Sequence, residues 1–218
     1  MLESLIQTLA ISALPVIFAI TLHEAAHGYA ARHFGDPTAW QLGRISLNPL
    51  RHIDPIGTIV IPIAILLFSG GSFLFGYAKP VPVDFGRLRN PKQDMFCVAA
   101  AGPGANLFMA LCWAFLLKMA WLLPSSEFTL PLSEMSKIGI MVNCVLMVLN
   151  LLPLPPLDGG RIAVSLLPSP AAWRFAQLER FGFPILLLLL FTGALSWLLT
   201  PVMGLVMGVI YFIFQFPV

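Results

Sequence analysis

His23, Glu24 and His27 close an uncharged apolar run and are the residues best placed to do chemistry. Four residues make about one helical turn, so on a helix the two imidazoles share a face and can reach one metal ion. Glu24 precedes His27 by three positions, close enough to take a proton from a water activated at that ion. The residues before the motif matter as much. Residues 5–22 carry no charge and would span about 27 Å as a helix at about 1.5 Å per residue. The motif is therefore expected inside a membrane, near one boundary. Ionisable groups at that depth are costly, and by default they are functional candidates.

The His-Glu-x-x-His pattern on a helix is a zinc metalloprotease signature, but two histidines do not complete a site. Catalytic zinc usually takes three protein ligands and keeps one position open. The third ligand is expected to be Asp158, a lone carboxylate in Asn150-Leu151-Leu152-Pro153-Leu154-Pro155-Pro156-Leu157-Asp158-Gly159-Gly160-Arg161. Prolines remove backbone donors and prevent a regular helix, and such backbone at membrane depth is tolerated where it lines a cavity. Cys97, Cys112 and Cys144 are widely spaced in apolar segments and read as small buried hydrophobes, not as ligands.

The two motifs together resemble the site-2 protease family of intramembrane zinc metalloproteases. Ala101-Gly102-Pro103-Gly104-Ala105-Asn106, lying between them, resembles that family's AGPxxN helix start. The motifs occur in the family's order over residues 5–161. The resemblance implies His23, His27 and Asp158 as ligands of one Zn2+ per chain and Glu24 as the catalytic base. It implies cleavage of transmembrane segments of membrane proteins near the cytoplasmic boundary. It also implies a short strand beside the active site that can pair with an extended substrate. Residues 42–48 and 78–84 alternate apolar and polar side chains like strands, which makes Ile45, Leu47 and Lys79 candidates for that role. Asn106 and Asn150 are candidates for lining or orienting the site. His52 and Asp54 read as loop structure at the interface. Many relatives carry a PDZ or regulatory insert; the loops here leave no room for one, so the chain looks like a minimal member.

The elements must place these residues at one depth. The chain is 58% hydrophobic and 10% charged, against about 25% charged for soluble domains. Its 218 residues predict a single membrane-embedded domain, with a core at about 5–161 and a C-terminal helical hairpin at about 182–216. The predicted fold is an all-α polytopic membrane protein of about five transmembrane helices: 5–34, 95–123, 138–152, 183–199 and 202–216. The last two turn at Thr200-Pro201. Residues 56–77, apolar but short and flanked by basic residues, predict a re-entrant or partly inserted segment broken at Gly70-Gly71. No cleavable leader is expected, because the first apolar segment holds the motif. Lys and Arg crowd the connections after His27 and after Asp158, whereas the connection around residues 123–136 carries Glu127 and Glu134. The positive-inside rule then predicts the cell membrane, with the site toward the cytoplasm. The expected partners are a transmembrane protein substrate and the bilayer, with no nucleic acid. A membrane-surface metallohydrolase of another substrate and a catalytically idle scaffold stay open. A metal transporter is disfavoured, because Lys118 is the only charge along the second predicted helix beyond its start.

Overall fold

Long uncharged runs become helices here because a helix satisfies its own backbone groups where no water is available. The computed structural model describes residues 2–61, 64 and 79–216. Within these residues the architecture is carried by α1 (Leu2–His33), α2 (Pro91–Leu122), α3 (Thr129–Asn150), α4 (Asp158–Leu166), α5 (Ser169–Ala176), α6 (Glu179–Phe191) and α7 (Ala194–Phe214). Four stretches are long and apolar enough to cross a membrane: Ala10–His33 of α1, and the whole of α2, α3 and α7. At about 1.5 Å per residue, even the 21 residues of α7 exceed the roughly 30 Å of a bilayer's hydrocarbon.

The first three helices pack on one another, and α7 joins them against α2 and α3. Small residues make the close approach possible. Ala110 and Ala114 of α2 lie fully buried beside Trp113, Ile140, Cys144 and Ile210. A β-carbon on Gly139 would overlap the Trp113 ring. Backbone and side-chain bonds fix which helix ends share a side. The Arg89 N–H donates to Phe34 O at 3.0 Å, and the Lys92 ammonium donates to Leu167 O. The end of α1, the start of α2 and the end of α4 therefore lie together. Lys118 donates to Gln215 O at 3.4 Å, so α7 ends beside the far end of α2.

Several expectations need correcting. The terminal hairpin turns at Gly193, whose φ is +75°, and not at Thr200-Pro201. Thirteen residues make α6 too short to span, which leaves four candidate crossings among the described residues where five were expected in the chain. Pro201 sits inside α7, next to a Thr200 hydroxyl that donates to Ser196 O at 2.6 Å; neighbouring hydroxyls make such prolines tolerable in apolar helices. The Ala101–Asn106 stretch does not start a helix: α2 begins ten residues earlier, at Pro91, and Pro103 lies within it. α3 starts at Thr129, so Glu134 is helical and pairs with Lys137 at 2.7 Å. Cys97 is exposed and Cys144 is buried.

The expected strands are absent among the described residues. Residues 44–48 and 79–84 run without a ladder because side chains and isolated carbonyls take their backbone groups. Arg44 donates to Lys79 O at 3.0 Å, the Lys79 N–H donates to His52 O at 2.9 Å, and Pro80 and Pro82 have no N–H to offer. Of the expected inserted segment, Pro55–Val60 forms a wide helical turn capped by Asp54; most of the remainder lies outside the described residues.

Candidate metal centre

The site begins with α1, which presents His23 and His27 one turn apart toward α2 and toward Asp158, the first residue of α4. The two Nε2 atoms are 3.1 Å apart. Asp158 Oδ2 lies 3.3 Å from His23 Nε2, and its Oδ1 lies 3.3 Å from His27 Nε2. None of the three residues is more than 9% exposed.

The proton positions follow from what surrounds the rings. Asn106 is held by its amide nitrogen, which donates to Ala19 O at 3.1 Å and to Asn143 Oδ1 at 3.0 Å. Asn143 is itself fixed by donating to Gly139 O at 2.8 Å. Two backbone carbonyls thus orient both amides, and Asn106 Oδ1 must face His23 Nδ1, at 2.6 Å. His27 Nδ1 meets Val98 O at 2.7 Å. Both partners can only accept, so each Nδ1 carries a proton, and in the neutral rings each Nε2 presents a lone pair. With both rings neutral, two lone pairs and a carboxylate face one another, and buried Asp158 Oδ2 has no hydrogen-bond partner. Such a cluster is repulsive unless a cation sits among the three. Two imidazoles and a carboxylate suit a borderline metal such as zinc, and Nδ1 bonds of this kind hold ligand rings in place.

Close packing sets the depth of the cluster. A β-carbon on Gly102 would overlap both imidazoles, so α2 approaches α1 only because that position is glycine. Residues 151–157 fold back on the start of α4, where side chains on Gly159 or Gly160 would strike the backbone of Leu151, Leu152, Leu154 or Pro155. Beside the cluster is a cleft of about 720 Å³, walled by Glu24 on one side, residues 80–85 on another and Phe183 and Leu186 of α6 on a third. At its edge Arg161 stacks 4.9 Å from the Phe85 ring and pairs with Glu179 at 3.6 Å.

The fold thus brings His23, His27 and Asp158 to one point, with Glu24 and Asn150 on the cleft wall. Glu24 Oε2 accepts the Val81 N–H at 2.7 Å. Asn106 lies behind His23, while Asn150 spends its amide on Leu146 O of its own helix, at 2.9 Å. Ile45 packs on Gly28 of α1, Leu47 is exposed, and Lys79 contributes main-chain bonds. His52 bonds Ser46 O within its loop, at 2.8 Å. Asn143 and the Val98 carbonyl were missed by sequence reasoning. Asn143 had a signal, an amide inside an apolar helix; a carbonyl has none.

Residues 123–192 match the profile of Peptidase family M50. A Bacillus subtilis (strain 168) protein named "Putative zinc metalloprotease YwhC" is 39% identical over 192 residues, covering 87% of this chain and 84% of that protein. "Putative zinc metalloprotease Rip2" of Mycolicibacterium smegmatis is 31% identical over 181 residues, 83% of this chain and 66% of that protein. Its Mycobacterium tuberculosis (strain H37Rv) namesake is 28% identical over 203 residues, 91% of this chain and 71% of that protein. No solved structure matches the chain. These relatives, with helices long and apolar enough to cross a membrane around a His, His, Asp cluster, define the class as a multi-pass membrane metalloprotease. The chain belongs to peptidase family M50, the site-2 protease family.

Proposed function

We propose that this protein is a zinc-dependent intramembrane endopeptidase that cleaves transmembrane segments of membrane proteins near the cytoplasmic boundary. The observation that carries the reading is the convergence of the His23 and His27 Nε2 atoms and the Asp158 carboxylate, within 3.3 Å of one another, beside Glu24. His23, His27 and Asp158 hold the metal, one ion per chain. When bound, zinc supplies a Lewis acid that polarises the peptide carbonyl and makes water reactive near neutral pH.

The chain's own groups do the rest. Glu24 takes a proton from the attacking water as its oxygen adds to the carbonyl carbon. It returns that proton to the departing nitrogen as the C–N bond breaks. Asn106, through His23, and the Val98 carbonyl, through His27, keep the ligand rings fixed throughout. A helical substrate has its carbonyls bonded and shielded, so it must unwind to enter the cleft, which favours segments with helix-breaking residues. The extended segment of residues 79–84, with 80–85 on the cleft wall, is the candidate surface for pairing with such a substrate, and Ile45 meets Val81 behind it at Gly28. Basic residues after α1 and within and after α4 support a cytoplasmic placement of this end.

The test is metal content beside cleavage of a transmembrane reporter. His23→Ala and His27→Ala should each lose most of the zinc, which is expected at about one ion per chain. Glu24→Gln should keep the zinc and lose cleavage, and should trap uncleaved membrane proteins. Full zinc in both histidine variants, or full cleavage by Glu24→Gln, would sink the assignment.

A further inference from the structure

We infer that the main-chain N–H of Val81 is a positioning group for Glu24, and that residues 79–84 form a strap built to hold it there. The inference rests on the reading of Glu24 as the base and adds a partner that the motif does not contain. Val81 lies 57 positions from Glu24 and donates to its Oε2 at 2.7 Å. Proline has no N–H and a fixed φ, so between Pro80 and Pro82 Val81 offers the triplet's single donor, on a backbone with little freedom to turn it away.

The strap is fastened on both sides of that donor. Before it, Arg44 donates to Lys79 O and Pro80 O, at 3.0 and 3.3 Å, and the Lys79 N–H reaches His52 O. After it, the Asp84 N–H donates to Asp36 Oδ2 at 2.7 Å. The Val81 side chain is 7% exposed and packs at Gly28, one turn beyond Glu24 on α1. A glutamate side chain has three rotatable torsions, and a base delivers its rate only when held at the right angle to the water. Binding one carboxylate oxygen to a fixed amide removes most of that freedom and leaves the other oxygen to face the reacting water. Val81 touches neither substrate nor metal in this role; it acts through Glu24.

The opposite reading is that Glu24 merely satisfies a buried amide and so props up the cleft wall. Replacing Val81 by its α-hydroxy acid through nonsense suppression separates the two, because the ester deletes the N–H and keeps the side chain. On a transmembrane reporter, the ester variant should show kcat lowered about tenfold or more, as for loss of a hydrogen bond to a charged group. KM should stay within about twofold, and zinc content and melting temperature should match the parent. Val81→Pro, made by ordinary mutagenesis, should give the same split. Unchanged kcat in the ester variant would overturn the proposal. So would loss of zinc, or of folding, together with activity, since the bond would then be architectural. Glu24→Gln run in parallel tells the two levels apart. If Glu24→Gln cleaves normally, the proposed function fails; if it is inert while the ester is fully active, only the positioning role fails.

Discussion

At the scale of single residues, the behaviour of the centre depends on groups that never reach the cleft. Asn106 is fully buried and holds the proton of His23 Nδ1. Asn106→Leu keeps the size but removes the acceptor, freeing the His23 proton to move to Nε2, where it blocks metal. Zinc affinity should fall by about 10- to 100-fold, the range for loss of an outer partner of a ligand. Competition with a chelator measures it, and unchanged affinity would show that Asn106 is packing alone. The meeting of His23, His27 and Asp158 was legible because helical periodicity places residues four apart on one face, and because a lone Asp stands out among prolines and glycines. The Val98 carbonyl was not legible. Every residue carries a carbonyl, and only the packing of α2 on α1, with Gly102 at the contact, decides which one meets His27.

At the scale of elements, the connection leaving α1 shows how polar groups replace regular structure. Asp36 is fully buried and accepts from the N–H and hydroxyl of Thr38 and from the Asp84 N–H. Burial opposes its charge, but these bonds and the nearby Arg87 outweigh it and hold its pKa below the usual 3.8. A depressed value stabilises the fold only while the group is ionised. The contribution is therefore complete above the ordinary value and is lost as pH falls through the lower, folded-state value. Thermal melts should show a drop in stability below about pH 4 that is smaller in Asp36→Asn, which is already weakened at neutral pH. An identical acid profile in the variant would remove Asp36 from the account. The alternating pattern of residues 42–48 and 78–84 suggested strands, but alternation reports only two environments for side chains. It does not supply a ladder partner, and here Arg44, Glu24 and His52 take the bonds a neighbouring strand would have made. In the same way Pro201 looked like a corner, while the true corner fell at Gly193, where a left-handed φ of +75° is available without strain.

At the scale of the whole molecule, length and hydropathy mark the candidate crossings, and charge gives the sidedness proposed above. Three of the four candidate spans were legible as uncharged runs, and α7 was legible in its second half. The short α6 was overcounted because hydropathy does not reveal where a helix stops. In a background without Cys97, Cys112 and Cys144, Arg174→Cys should label from the cytoplasmic face and Glu127→Cys from the opposite one. Labelling of both from one side would overturn the topology and, with it, the cytoplasmic placement of the cleft.

Order of synthesis adds a last point. The acceptor that sets the His23 proton lies 83 residues downstream, and Asp158 comes later still. Chains emerge N-terminus first, so α1 enters the bilayer with its histidines and glutamate before any partner exists. Until α2 docks nothing fixes the rings, and until Asp158 follows no carboxylate completes the cluster. On the proposed reading, the three residues that would hold the metal come together only late in synthesis, so the nascent chain would stay inactive until Asp158 reaches the two histidines.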